Sequence, residues 1–206
     1  MEKQQTILAM YSGGLDSLGM LYELLTGSDY TNYHIHVHHV HNINIEDRHK
    51  AEALAVQLAL TELKDLGFVF SYSESQISSP MYGNYFLFDT DTMNFFAGFI
   101  SSVNKDIVKI AFGMNKQDKN HFIEERIKRG SKILSAFTEV KKIYPVLGLS
   151  KEEIFDSLPL SLKDKFWSCR HPTYTETNIN SCGVCTTCVS LKETKIWDFL
   201  YSPKQG

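Results

Sequence analysis

The stretch "MYSGGLDSLGML", residues 10–21, decides how this chain is read. Two adjacent glycines, Gly13 and Gly14, stand between the hydroxyls of Ser12 and Ser17, and Asp16 follows them. On the N-terminal side, "TILAMY" (6–11) is a short apolar run that reads as a buried strand. On the C-terminal side, Leu15, Leu18, Leu21, Leu24 and Leu25 recur at helical spacing, so residues 15 to about 26 read as a helix. Glycines between a strand and a helix let the backbone come close to a ligand. The free N–H groups that open a helix favour an anion. Asp16 would repel that anion unless a divalent cation lay between them, and oxygen-ligated Mg²⁺ is the simplest such cation. Neither the Walker pattern nor GxGxxG is present, which excludes the kinase-type phosphate loop and the dinucleotide fingerprint. A plain turn with an aspartate near the helix start is the structural alternative.

Outward from the loop, helices and strands alternate. "NYHIHVHHV" (32–40) reads as a strand, "EDRHKAEALAVQLALTELKDLG" (46–67) as a long helix stopped by Gly67, and "FVFSYS" (68–73) as a third strand. Residues 78–89, with Pro80 and Gly83, read as an irregular connection. A helix over 90–105, a strand over 107–115 and a helix over 120–140 follow. Next comes a short helix over about 150–158, with Ser150 as its cap and Glu153 at the capping-box position. Four such alternations predict an α/β fold, a doubly wound, mostly parallel sheet with helices on both faces. Ligands of such sheets bind at the carboxyl ends of strands, where the glycine loop lies.

At 206 residues, the chain suits one domain with a small appendage, divided here as 1–160 and 161–206. Hydrophobic residues make up 43% and charged residues 22%, ordinary values for a globule with a full core. A formal net charge of -3 argues against an electrostatic grip on nucleic acid. No signal-peptide pattern or membrane-length apolar run is seen, so a cytoplasmic protein is expected.

All four cysteines lie between 169 and 188. Cys182, Cys185 and Cys188 have CxxCxxC spacing, and Cys169 stands upstream. Four thiolates with no open position describe a structural Zn²⁺ site, and an iron–sulfur cluster is the competing metal. Either would pin the C-terminal segment to the core.

The S-G-G-x-D-S string after a first apolar strand resembles the PP-loop of the N-type ATP pyrophosphatases, which cleave ATP between its α and β phosphates and adenylate a substrate. With the C-terminal four-cysteine knuckle, the chain resembles the 7-cyano-7-deazaguanine synthase (QueC) family over about residues 6–195. "DRHKAE" (47–52), "MNFFAGFIS" (93–101), "IAFGMNKQD" (110–118), "PVLGLSKEEI" (145–154) and "WSC" (167–169) carry further likeness. The resemblance implies ATP, Mg²⁺ and Zn²⁺ as cofactors. It implies that Ser12, Gly13, Gly14, Leu15, Ser17 and Gly113 hold the nucleotide, Asp16 holds Mg²⁺, and Lys151 neutralises phosphate charge. Arg48, His49, Asn94 and Asn115 are the candidate acceptor contacts, and Cys169, Cys182, Cys185 and Cys188 the metal ligands. The implied reaction joins 7-carboxy-7-deazaguanine and ammonia into 7-cyano-7-deazaguanine. The implied assembly is a homodimer with small-molecule partners, no membrane and no direct nucleic-acid contact.

The sequence departs from the family at Met93, where the family has arginine, at "DKNHF" (118–122) and at "HHVHNINIED" (38–47). These departures leave two alternatives open. One is an adenylating enzyme with another acceptor (a related deazaguanine, a tRNA base or a protein terminus). The other is a nucleotide-binding protein without turnover. His34, His36 and His38 share one strand face; they are candidate metal ligands or pocket-lining groups. Phe86, Phe88, Phe95 and Phe96 read as core.

Overall fold

A computed structural model of the chain describes residues 4–78, 89–118 and 121–201. The expected connection over 79–88, with Phe86 and Phe88, and positions 119–120 lie outside the described residues.

Five strands form one parallel sheet: β1 (Thr6–Met10), β2 (His34–Ile43), β3 (Ser71–Ser78), β4 (Ile107–Phe112) and β5 (Lys141–Ile143), in the order β3-β2-β1-β4-β5. β1 is buried along its whole length, as its continuous apolar run requires. Its side chains divide the core by strand alternation. Ile7 and Ala9 face a cluster built with α1 (Leu15–Thr26) and α2 (His49–Asp65). Leu8 and Met10 face a second cluster built with α3 (Asp89–Val103) and α4 (His121–Ser135). The helices therefore cover both faces, and the sheet is doubly wound.

β3 lies later than the apolar run "FVF" suggests. Phe68 and Phe70 pack on the core from the connection, while Val69 is 84% exposed. The ladder itself is the polar, alternating "SYSESQIS" of an edge strand.

After β5 come α5 (Lys151–Ser157), a two-stranded antiparallel pair of β6 (Thr173–Tyr174) and β7 (Ile179–Asn180), then α6 (Thr186–Lys192) and α7 (Lys195–Tyr201). Both halves of the expected capping box open α5: Glu153 N–H donates to Ser150 Oγ at 3.2 Å, and Ser150 N–H to Glu153 Oε2 at 2.7 Å. Leu162, Phe166, Leu191 and Ile196 join the same core cluster as β1 and α1. No helix among the described residues is long and apolar enough to cross a membrane.

The chain builds outward from β1 to β2 and β3, then returns to place β4 on the other side of β1. That reversal is the topological switch point, where doubly wound sheets bind ligands. The glycine loop leaves β1 there.

Candidate functional site

The loop is braced by its own hydroxyls. Ser17 Oγ donates to the Gly14 carbonyl at 2.9 Å, which uses its one proton. Ser12 Oγ, 3.0 Å away, must then donate to Ser17 Oγ, which also receives the Ser12 N–H at 3.3 Å. The first bond of α1 runs from Leu18 N–H to the Gly14 carbonyl, so the preceding N–H groups have no helical acceptor. Two glycines are required by geometry. Gly13 has φ +84°, and a Cβ there would come within 2.9 Å of the Glu52 carbonyl. A Cβ on Gly113, at the end of β4, would stand 2.5 Å from the backbone of Ser17. The loop is thus seated directly on α2 and on β4.

Above it opens a cavity of about 310 Å³ lined by Ser12, Asp16, Ser17 and Gly113 among others. Asn115 is fully buried, and its Nδ2 donates to Asp16 Oδ2 at 2.9 Å, so it orients the carboxylate. Asn94 lines the cavity and donates to its own helix, at the Thr90 carbonyl, at 2.6 Å. Arg48 also lines it. His49 sits at the start of α2, 3.4 Å from Asp47, and Lys151 at the start of α5; neither is among the described residues that line the cavity. Leu15 is buried under the loop as a core residue.

The cavity also carries Glu52, which closes the "DRHKAE" stretch, and charged groups that no sequence motif marks: Asp89, Arg126, Lys142 and Arg170. At the end over β2 they form a compensated cluster. Arg48 pairs with Glu52 at 2.8 Å and with Asp89, and its Nε stands 2.9 Å from Glu46. Arg170 places Nε and Nη2 on Glu46 Oε1 at 2.8 and 2.6 Å. Asp89 also receives Asn42 Nδ2 at 3.3 Å. Burial raises the Asp89 carboxyl, but Arg48 beside it outweighs that and holds it below the usual range. At Glu52 burial prevails over Arg48 and pushes the carboxyl up to about 7. The folded state therefore keeps a proton on Glu52 that the unfolded chain releases near its ordinary value of 4.5. Stability from this group is full below about pH 4.5 and is lost as pH rises to about 7. Glu52→Gln is expected to flatten that fall, read as the difference in Tm between variant and wild type across the window; parallel Tm curves for the two would refute it.

The strand histidines do not converge on an ion. Among the described residues, the four cysteines are the group arranged to hold a metal. His34, His36 and His38 interleave instead with the hydroxyls of β3. His34 Nε2 and His36 Nδ1 each lie 2.7 Å from Ser71 Oγ. His36 Nε2 lies 2.7 Å and His38 Nδ1 2.8 Å from Ser73 Oγ. Each hydroxyl has one proton, so the whole ladder takes one of two directions of donation. Burial pushes His38 down to about 4 and lowers His36 as well. Ser73→Ala strips a partner from two imidazoles and is expected to cost about 1–3 kcal/mol, measured by denaturant unfolding; an unchanged midpoint would count against the ladder.

The sulfurs of Cys169, Cys182, Cys185 and Cys188 all lie within 4.8 Å of one another. Cys182 N–H points at Cys169 Sγ at 3.2 Å and Cys185 N–H at Cys182 Sγ at 3.3 Å, as expected for backbone supporting thiolates. The segment also holds the loop, since Trp167 N–H donates to the Gly13 carbonyl at 2.8 Å.

No family model and no curated protein matches the chain in sequence. Among solved structures it is similar to the U34-tRNA thiolase NcsA from Methanococcus maripaludis with its [4Fe-4S] cluster. The TM-score is 0.53 at 16% identity, over 96% of this chain and 68% of that one. The chain shares the fold of that thiolase: a parallel α/β sheet, here with a loop-and-cavity site at its switch point and a four-cysteine cluster beside it.

Proposed function

We propose that the chain is a PP-loop adenylating enzyme, an ATP-dependent ligase that forms 7-cyano-7-deazaguanine from 7-carboxy-7-deazaguanine and ammonia. The observation that carries the reading is the Ser12–Ser17 loop, braced by its own serines and opening into a cavity at the switch point. The loop N–H groups and serine hydroxyls would hold the departing pyrophosphate. Asp16, oriented by Asn115, fits a hard divalent cation; Mg²⁺ bound there supplies charge neutralisation to the phosphates.

In the proposed sequence the acceptor carboxylate attacks the α-phosphorus, pyrophosphate leaves, and an acyl-adenylate forms. Ammonia attacks the acyl carbon, AMP leaves, and loss of a proton gives the amide. The amide oxygen then attacks a second ATP with loss of pyrophosphate and a proton. Elimination of AMP with the remaining N–H proton gives the nitrile. The protein contributes position and fixed charge.

Zn²⁺ is the proposed occupant of the cysteine site. One ion bound at the usual Zn–S length sets its sulfurs about 3.8 Å apart. Sulfurs within 4.8 Å suit a single ion better than thiolates that each cap a different iron of a cluster.

Met93 lines the cavity where the resembled family has arginine. It favours, as a second reading, the same adenylation with another acceptor. Incubation with ATP, Mg²⁺, ammonia and the deazapurine acid decides between them. AMP, pyrophosphate and nitrile together support the first reading. Pyrophosphate release that ignores the acid and responds to another acceptor supports the second, and no turnover by folded, metal-loaded protein refutes both.

A further inference from the structure

Lys142 lies on β5 opposite Ile110 of β4, in the phase that also carries Val140 and Tyr144. Those neighbours pack against the core cluster beneath α3 and α4. The strand pattern asks for an apolar side chain at this position, yet an amine occupies it and lines the cavity. Its Nζ donates to Ser131 Oγ at 3.1 Å and stands 5.4 Å from the centre of the Phe112 ring. Among the described residues it has no ion pair. Burial alone pushes it down to about 8, with no carboxylate acting in the other direction.

The contrast with the other end of the cavity is informative. There Arg48 and Arg170 are matched by Glu46 and Asp89. A half-buried amine with only a hydroxyl and an aromatic face for company is partly desolvated at a cost, and an anionic ligand offsets that cost. The loop that seats the first anion leaves β1. β4 separates β1 from β5, so the two positions are offset by roughly 10 Å across the sheet, and Lys142 is level with Leu8, four residues before Ser12.

We propose that Lys142 is the contact for a second anionic group in this cavity, separate from the phosphates seated in the glycine loop. Resting on the adenylation reading, that group is either the α-phosphate of the nucleotide or the carboxylate of the acceptor that attacks it. The two share the same chemistry, an oxyanion accepting a charge-assisted hydrogen bond from Nζ. In either role Lys142 brings positive charge to the reacting phosphorus.

The test compares Lys142→Met and Lys142→Arg with wild type in the full chain. Binding of Mg²⁺ with α,β-methylene-ATP, and of 7-carboxy-7-deazaguanine, is measured by calorimetry. Lys142→Met is expected to weaken one of the two by roughly 10- to 100-fold, while Lys142→Arg stays within a few fold of wild type. Loss confined to the nucleotide analogue identifies the phosphate; loss confined to the acid identifies the carboxylate. Methionine suits the apolar flanks, so Tm is expected to rise by about 2–4 °C. Unchanged affinities for both probes, whatever the Tm, would overturn the inference while leaving the adenylation reading intact. If wild type binds neither probe, the reading itself fails and the inference falls with it.

Discussion

Asp16→Asn is expected to cut pyrophosphate release from ATP by at least roughly 10²–10³-fold without unfolding the chain. The substitution separates charge from shape. Asp16 sits in the first turn of α1, and Asn115, fully buried, donates to its Oδ2 at 2.9 Å. An asparagine can turn its own carbonyl oxygen toward Asn115 and keep that bond. What it cannot keep is a negatively charged oxygen for a hard cation, which prefers carboxylate ligands. The phosphates then meet the loop with less neutralisation just as charge builds on the leaving pyrophosphate. Because the acidic residue near a helix N-terminus is itself favourable to the helix, a small loss of stability accompanies the change. The assay is pyrophosphate release at saturating ATP, with a Mg²⁺ titration alongside. A higher Mg²⁺ requirement together with a lower rate supports the role. An unchanged rate in the folded variant would remove Asp16 from the mechanism, and with it the strongest reason for reading the loop as a nucleotide site.

The parts of this molecule that were legible in the sequence are those written in local spacing. The apolar run of β1, the leucine period of α1 and the glycine pair between them needed no tertiary information, nor did the cysteine triplet. β3 was misplaced because its pairing is polar. Ser71 and Ser73 are ladder residues through the histidines of β2, and hydrophobic periodicity does not register hydroxyl–imidazole contacts. The remaining site residues were hidden for a different reason. Asp89, Arg126, Lys142 and Arg170 come from four separate segments and line one cavity only once the strand order brings those segments together. Two faint signals were present. Arg170 directly follows a metal-ligand candidate, and Lys142 interrupts the inward phase of Val140 and Tyr144. Asn115, singled out as an acceptor contact, also lies against Asp16, a relation between residues 99 positions apart.

Stripping the metal from the four cysteines is expected to lower Tm by on the order of 10 °C or more and to weaken ATP binding at the same time. The elements around the cluster cannot hold themselves. β6 and β7 have two residues each and α6 and α7 seven each, well below the length of a helix or hairpin stable alone. Yet this segment inserts Leu191 and Ile196 into the core beside β1 and α1, so its loosening opens the main cluster. The coupling to the nucleotide runs through two contacts. Trp167 N–H holds the Gly13 carbonyl at 2.8 Å, and Trp167 Nε1 in turn donates to the Cys169 carbonyl at 2.8 Å. Arg170, the residue after Cys169, clamps Glu46, which shares Arg48 with Glu52 and Asp89 at the cavity wall. Freed from the metal, Cys169 would no longer fix either neighbour, and the loop would lose the brace that Trp167 gives it. The measurement is thermal unfolding and ATP-analogue binding before and after chelation, with metal content by mass spectrometry and restoration by Zn²⁺. Recovery of both properties with one zinc per chain supports a structural ion coupled to the site. Recovery only on rebuilding an iron–sulfur cluster would replace zinc while keeping the coupling. A metal-free chain with unchanged Tm and unchanged nucleotide affinity would show that the cysteine segment stands on its packing alone, and the coupling through Trp167 and Arg170 would fail with it.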